Sequence, residues 1–204
     1  MFHKKFNKSD LVYFVGCCHL QHKNITRGVT SWGESARTRP YNTTEEMTEA
    51  VIKSLQTVPP EAHLFLLGDF LFGDKENMNH LLGLVACQNL YYIYGNHCKW
   101  MRNKVFNKFK FIGDYLEVFY GNQLICMSHY PFAVWNECHH GSWMIHSHSH
   151  GSYTPGLPTT TYQGKILDVG WDVFNRPVDI EEIRAIMNEK HIVNKDHHNE
   201  RTNR

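Results

Sequence analysis

The sequence predicts an α/β fold with a parallel sheet at its centre, and three short apolar runs are the basis of this prediction. The runs are Leu11–Val15, Leu64–Leu67 and Leu90–Tyr94. Each run lacks polar alternation, which is typical of strands that are buried on both faces. Residues 79–87, between the second and third runs, predict a short helix, so this part of the chain predicts a β-α-β unit.

Polar residues with metal-binding chemistry follow each predicted strand at once. The first strand leads into Gly16–His19 (GCCH), the second into Gly68–Asp69 (GD) and the third into Gly95–His97 (GNH). Because ligands of open α/β sheets bind at the carboxyl ends of the strands, these groups are expected to meet there. The glycine in each motif allows the tight turn that brings them together.

The other predicted elements complete a mixed chain. Thr43 is the expected N-cap of a helix that continues to Leu55, and Glu46 fits a capping box. Runs on both sides of the turn at 121–122 predict a β-hairpin. Further helices are predicted over 99–110 and 179–190, and further strands over 143–145, near Thr160 and over 166–169. In an extended backbone, His146, His148 and His150 would point to one face.

Composition indicates an ordinary soluble protein. The chain has 204 residues, a net charge of +1 and 42% hydrophobic residues. One domain over residues 1–190 and a disordered polar tail over 191–204 are expected. The near-neutral charge gives no support for broad attraction to nucleic acid or membrane. The chain has 15 histidines, above the roughly 2% that is typical of proteins, and imidazole is the commonest metal ligand.

The expected location is the cytoplasm. The six cysteines form no C-x-x-C pair, and the N-terminus is basic and polar without an apolar segment of the length of a signal peptide. The apolar runs are all shorter than the ~20 residues of a membrane-spanning helix. Reduced thiols are therefore expected rather than disulfides.

Five motifs in a fixed order point to a known family. They are Gly16–His19, Gly68–Asp69, Gly95–His97, Ser128–His129 and Ser147–His150. They resemble, in the same order, the motifs of the calcineurin-like metallophosphoesterases: D-x-H, G-D, G-N-H-[DE], H and G-H-x-H. The segments KNI at 23–25, RPY at 39–41 and DVGWD at 168–172 are similar to a small bacterial and phage branch of that family. The resemblance extends from Leu11 to near Lys190.

The resemblance implies a four-layer α/β/β/α sandwich that binds two divalent metal ions, such as manganese, iron or zinc. It implies a phosphorylated substrate, with nucleotides and nucleic acids among the candidates, and no membrane partner. The first metal would be bound by Cys17, His19, Asp69 and His150, and the second by Asp69, Asn96, His129 and His148. The catalytic set would be His97, Asp69 and Asn96. His97 would bind no metal and would steady the phosphate or protonate the leaving oxygen.

The chain departs from the family pattern at three positions. Cys17 stands where the family has Asp, and Cys98 stands where it has Asp or Glu. As a thiolate, Cys17 would favour zinc or iron over magnesium or manganese, whereas as a thiol it would be a poor ligand. Register could also involve Cys18, although strand alternation favours Cys17 and His19 on one side. Cys98 would orient His97 poorly, and Ser147 replaces a glycine.

Other residues have simpler interpretations. Lys23 and Arg39 precede the first long helix, and a contact with a substrate phosphate fits them as well as a surface salt bridge. His146 is interpreted as structural. Asp168 and Asp172 are interpreted as groups that hold the last loop in place.

The leading hypothesis is therefore a metal-dependent phosphoesterase that acts on a phosphodiester or phosphomonoester by metal-activated water. A second hypothesis is a degenerate member of the family that binds a phosphorylated ligand or a protein partner without turnover. A third is a nuclease, against which the near-neutral charge argues. Substrate identity, native metal and oligomeric state stay open.

Overall fold

The three apolar runs form neighbouring strands of one sheet, as the sequence predicts. The structure, a computed structural model, describes residues 4–31, 38–102, 104–152 and 164–193. Its strands are β1 (Lys4–Phe6), β2 (Val12–Val15), β3 (His63–Leu67), β4 (Asn89–Ile93), β5 (Phe109–Gly113), β6 (Tyr115–Tyr120), β7 (Gln123–Ser128), β8 (Trp143–His146), β9 (Ile166–Asp168) and β10 (Val178–Asp179). The helices are α1 (Thr44–Leu55), α2 (Lys75–Gly83), α3 (Trp171–Phe174) and α4 (Ile180–Asn188).

The described strands form two five-stranded, mostly parallel sheets. The first sheet has the order β10-β2-β3-β4-β5, in which β2 to β5 are parallel and β10 pairs antiparallel with β2. The second has the order β1-β6-β7-β8-β9, in which only the hairpin β6-β7 is antiparallel. The predicted mixed α/β class is confirmed.

The main cores lie on the two faces of the first sheet. Phe14 and Phe65 point from one face toward residues of the second sheet such as Ile125, and together they form one buried cluster. On the opposite face, Leu64 and Leu66 pack against apolar residues of α1 and α2. Because side chains alternate along a strand, each central strand supplies both clusters, which explains its continuous apolar sequence.

The outer face of the second sheet is covered differently. A loop follows β7 and contains a 3-10 turn at Cys138–His140. Two residues of this loop, Trp135 and Cys138, pack against Met144 on this face. Within the described residues, the order of layers is therefore helices α1 and α2, first sheet, second sheet and a loop, and the apolar residues of α4 join the cluster between the sheets. None of the described helices is long and apolar enough to cross a membrane.

Several predicted boundaries are wrong. Residues 99–110 do not form a helix: a 3-10 turn covers Lys99–Met101, and the chain then enters β5. Phe109 and Ile112 of β5 pack against the cluster beneath α1 and α2, so the apolar spacing belongs to an edge strand. Helix α2 begins at Lys75 rather than near residue 79, because Asp74 caps it by accepting from Asn77 N at 2.9 Å.

Other predicted elements are found or fall outside the described residues. The helix capped by Thr43 and the β-hairpin are present. Thr43 accepts from Glu46 N, but Glu46 accepts from Asn42 N instead of returning a bond to Thr43. The predicted strand near Thr160 and residues 194–204 of the predicted tail lie outside the described part of the chain. Strands β1 and β10 and helix α3 were not predicted.

The core between the sheets should depend strongly on Phe65. Its side chain is 0% exposed, and its ring stacks on Tyr91 with centroids 4.5 Å apart. Phe65→Ala should lower the free energy of unfolding by about 3 to 5 kcal/mol, measured by chemical denaturation. Phe119→Ala, which removes a ring that is 41% exposed, should cost about 1 kcal/mol or less. Equal losses in the two variants would contradict this packing.

Candidate metal centre

The seven side chains predicted as metal ligands meet at one edge of the two sheets. Each follows the carboxyl end of a strand: Cys17 and His19 follow β2, Asp69 follows β3, Asn96 follows β4, His129 follows β7, and His148 and His150 follow β8. Both sheets therefore contribute to the site. Four of these seven are buried at 4% exposure or less: Cys17, His19, Asp69 and His129.

The backbone is left-handed at most of these positions. The φ angles are 50° at Cys17, 51° at His19, 47° at Asp69, 63° at His148 and 48° at His150. Non-glycine residues rarely adopt this region, and where they cluster they mark functional sites. The expected strand alternation from residue 17 to 19 and the extended backbone through residue 150 are therefore wrong, since both segments lie beyond the last residue of their strand.

Two glycines make room for the central carboxylate. Gly68 has a φ of +82°, and a Cβ there would lie 2.4 Å from His129 Nδ1. A Cβ on Gly95 would lie 2.1 Å from Asp69 Oδ1. The two motif glycines thus serve both the turn that the sequence predicts and a close approach that it does not reveal.

The first group of convergent atoms centres on His129. Its Nδ1 lies 3.0 Å from Leu67 O, and because a carbonyl only accepts, this bond assigns the hydrogen to Nδ1. The lone pair of Nε2 then faces Asn96 Oδ1 at 2.9 Å and Asp69 Oδ2 at 3.3 Å. His148 Nδ1 lies 3.1 Å from the same Asn96 oxygen and 3.2 Å from His129 Nε2. Acceptor atoms packed this closely suit a cation between them.

A second group of convergent atoms lies beside the first. His19 Nε2 and His150 Nε2 are 3.2 Å apart. His150 Nδ1 donates to Asp172 Oδ2 at 2.6 Å, which leaves its Nε2 with a lone pair. One ligand atom of each of Cys17, His19 and His150 lies within 4.8 Å of the others, and the same holds for Cys17, Asp69 and His129. Cys17 therefore connects the two groups, and Asp69 lies with it in the second set.

The donor set fits divalent cations. Imidazole nitrogen, thiolate sulfur and carboxylate oxygen are the ligands of zinc and of divalent iron. The buried Nδ1 of His19 has no hydrogen-bond partner in the described residues, so the protein satisfies only one nitrogen of this ring. The nitrogen placed to serve a ligand is Nε2, which faces His150 Nε2 at 3.2 Å.

The ionisable groups of the site have shifted pKa values. Burial alone would raise the pKa of Asp69, but its neighbours His129 and His19 and the backbone N–H of His97 lower it to about 2. Burial, and then the neighbouring His150, hold the pKa of His19 well below its usual range. Burial, and then His129, also lower the pKa of His148. These residues thus offer a carboxylate and neutral imidazoles near pH 7, which are the forms that bind metals.

Cys17 is a free and fully buried thiol. Burial raises its pKa well above the usual value. Hydrogen bonds from Ser147 and from the backbone amide of His148 lower the pKa, but by less than burial raises it. The His148 N–H donates to Cys17 Sγ at 3.1 Å. The sulfur is therefore supported by a donor of the kind that stabilises a thiolate, but it needs a positive charge to lose its proton.

Arg39 joins several parts of the site through its guanidinium group. It is 3% exposed. Nε and Nη2 donate to the two oxygens of Asp172 at 2.9 and 3.0 Å. The Nη groups also donate to Cys17 O at 2.6 Å, to Cys18 O at 2.5 Å and toward Met47 Sδ at 3.8 Å. All five N–H groups are engaged, so the expected contact with a substrate phosphate is replaced by a positioning role.

Asp172 links Arg39 to the predicted ligand His150. Burial alone would raise the pKa of Asp172, but hydrogen bonds from His150 and Arg39 hold it well below its usual range. A carboxylate on the second nitrogen of a metal-binding histidine fixes the ring and its tautomer. The sequence interpretation of Asp172, a group that holds the last loop, agrees with this contact.

His97 lies at the exposed edge of the site. Its backbone N–H donates to Asp69 Oδ1 at 2.9 Å, and its ring lies 4.5 Å from Phe72 and 5.7 Å from His19, centroid to centroid. It opens on a cleft of about 800 Å³ that His148 and other predicted ligands also line. His97 thus faces the cleft, and its contact with a substrate stays a prediction.

Lys23 lies elsewhere. It is exposed and lines a separate cavity of about 900 Å³ along α1, with Thr44 and Phe72 among the walls. The backbone of 23–25 forms a 3-10 turn, which directs this side chain away from the cleft of the predicted ligands. The prediction of a substrate contact at Lys23 is not supported by this position.

Two features of the site differ from what the sequence predicts. His22 lines the same cleft, and its Nδ1 accepts from Ile25 N at 3.0 Å. Its spacing of three residues after His19 was the available signal. Cys98 was expected to face His97, but its sulfur lies 3.5 Å from Asp69 Oδ1. Burial raises the pKa of Cys98 to about 11.

The partly buried position of His22 predicts a pH dependence of stability. Burial, and then His97, lower its pKa to about 4 from an ordinary 6.5. Between these values the unfolded chain binds a proton that the folded chain does not, so stability falls as the pH falls. In chelator, the free energy of unfolding of the wild type should decrease more between pH 7 and pH 5 than that of His22→Gln. His80→Gln, on the exposed side of α2, should keep the wild-type slope; equal slopes in all three proteins would contradict the prediction.

Comparisons with known proteins bear on the fold. No protein-family profile and no curated protein matches the chain. Among solved structures, it is similar to a protein of unknown function from Aquifex aeolicus, with 20% sequence identity and a TM-score of 0.59. The match covers 87% of this chain and 100% of that chain. At this identity the likeness shows the fold alone, a mixed α/β fold with two mostly parallel sheets.

Proposed function

We propose that this chain is a metal-dependent phosphoesterase that hydrolyses a phosphodiester or phosphomonoester. The convergence of two donor groups that share Cys17, one of which contains the buried carboxylate of Asp69, supports this function most strongly. A carboxylate can serve two cations at once, which a neutral imidazole cannot. The order of the five motifs along the chain, and their similarity to the calcineurin-like metallophosphoesterases, points to the same reaction.

The proposed ligands divide between two cations. Cys17, His19, Asp69 and His150 would hold the first, and Asp69, Asn96, His129 and His148 the second. Two bound divalent cations would supply an activated water and neutralise charge that develops on the phosphoryl oxygens. Arg39 and Asp172 would keep the loops after β2 and β8 at a fixed separation, through the contacts described above.

His97 would contact the substrate from the cleft. Its backbone is anchored to Asp69, so its position relative to the ligands is set by a hydrogen bond rather than by a flexible loop. An exposed imidazole at this place can donate to a phosphoryl oxygen or give a proton to the leaving oxygen. The cleft of about 800 Å³ is large enough for a phosphoester with an organic group of moderate size.

The proposal extends to the fold and the location. In the four-layer α/β/β/α arrangement of the family, α1 and α2 would be one outer layer, and the loop with Trp135 and Cys138 would take the place of the other. All six cysteines are free thiols, which supports a reducing compartment such as the cytoplasm.

Activity should depend on Asp69 and His97. With a chromogenic phosphodiester or phosphomonoester and added manganese or zinc, Asp69→Asn or His97→Ala should lower kcat/KM about 100-fold or more, since acid catalysis alone contributes ~10²–10⁴. His80→Ala, exposed on α2, should behave as the wild type. Full activity in either site variant would exclude the mechanism.

A non-catalytic binding protein is the second candidate, because a buried thiol stands at position 17. The metal content of the purified full-length chain distinguishes this candidate from the enzyme. Two cations per chain in the wild type would show that Cys17 serves as a ligand. One cation, rising to two in Cys17→Asp, would indicate that the first site has decayed and would favour binding without turnover. Comparison with Asp69→Asn removes the contribution of the tail histidines, which is the same in every variant.

A further inference from the structure

Cys98 makes contacts that its place in the sequence does not predict. It is 1% exposed and follows His97 directly. Its Sγ lies 2.9 Å from Tyr92 Oη and 3.5 Å from Asp69 Oδ1. Tyr92 Oη also lies 3.4 Å from the backbone N of Phe70. The thiol thus sits between a fully buried tyrosine and the central carboxylate.

The directions of these hydrogen bonds follow from the chemistry of the groups. A carboxylate only accepts hydrogen bonds, so the Cys98 thiol donates its hydrogen to Asp69 Oδ1. The sulfur then accepts from the Tyr92 hydroxyl, and the Tyr92 oxygen accepts from the N–H of Phe70. One chain of bonds therefore runs from the backbone after β3, through Tyr92 and Cys98, back to Asp69 on the same turn.

Asp69 Oδ1 is enclosed by these partners. It accepts from His97 N at 2.9 Å as well as from the thiol, and Gly95 approaches so closely that a Cβ there would lie 2.1 Å from it. The other oxygen, Oδ2, faces His129 Nε2 at 3.3 Å. The two oxygens of one carboxylate are thus divided between the protein and the ligand site.

We propose that Cys98 is a positioning residue that fixes Asp69, so that Oδ2 alone is presented to the metal ions. The proposal rests on the proposed function for the ions themselves. The family pattern implies that the residue at position 98 contacts the His97 ring. The proposal assigns it a different partner, Asp69. A carboxylate at position 98 would lie against Asp69 in a pocket where both residues are 1% exposed, and two such charges repel strongly without water.

Metal affinity tests the positioning role. The metal-free full-length chain is titrated with Zn²⁺ alone by calorimetry, as wild type, Cys98→Ala and Cys98→Ser. Cys98→Ala should raise Kd about 10-fold or more, the usual effect of losing a group that orients a ligand. Cys98→Ser restores a donor of similar size and should return Kd toward the wild-type value. An unchanged Kd in Cys98→Ala, or an equal loss in both variants, would overturn the proposal.

A matched control separates positioning from packing. Cys87 is also a buried thiol, 2% exposed, and donates to Ala62 O at 3.0 Å beyond the opposite end of β4. Cys87→Ala should lower stability without changing Kd. A rise in Kd similar to that of Cys98→Ala would show that general loosening of the core is the cause, and would also overturn the proposal.

A substitution toward the family residue provides a test that needs no metal. In chelator, Cys98→Asp should have a lower free energy of unfolding at pH 7 than Cys98→Ala, because it places a carboxylate against Asp69. Stability equal to or above that of the wild type would mean that position 98 faces His97, and would reject the proposal. If the wild type binds no Zn²⁺, the proposed function fails, and this comparison still decides whether Cys98 contacts Asp69.

Discussion

The buried carboxylate of Asp69 is the constraint on which the arrangement of the site depends. It is 1% exposed and stands on a left-handed backbone directly after β3. Gly68 allows the turn that places it there, and Gly95 leaves the space that it fills. One oxygen is held by the chain, and the other faces His129. Burying a charge is costly unless hydrogen bonds or opposite charge compensate it, so the neighbouring positions must all provide such partners.

A second buried pair organises the loops around this carboxylate. Arg39 comes from the segment before α1, Asp172 from α3, and His150 from the loop after β8. Their hydrogen bonds join the segment before α1 to the two segments that follow the paired strands β8 and β9. Arg39 also binds the two carbonyls of the Cys17 and Cys18 loop. The planar guanidinium can hold a carboxylate and two carbonyls at once, which a lysine in this position could not do.

The central strands and the residues that follow them could be predicted from the sequence, because an unbroken apolar run such as 64–67 fits few structures other than a buried strand. The contacts that single side chains make could not be predicted. Arg39 is placed by a partner that lies 133 residues away, and no local pattern reveals such a pair. Cys98 turns toward Asp69 because Tyr92 lies beside it. The apolar spacing of segment 99–110 fits a helix, and it fits equally well a turn that is followed by an edge strand. The chain forms the strand because residues 109–113 pair with β4.

The position of the site between the two sheets has a consequence for the unfolding of the molecule. His19 follows a strand of the first sheet and His150 a strand of the second, 131 residues later, yet their Nε2 atoms lie 3.2 Å apart. A cation bound to both would act as a cross-link that closes almost two thirds of the chain into a loop. Closing a loop of that length in the unfolded state by a covalent bridge is worth on the order of 5 kcal/mol. A chain with six free thiols and no disulfide among them would in this way gain the kind of long-range tie that secreted proteins obtain by oxidation.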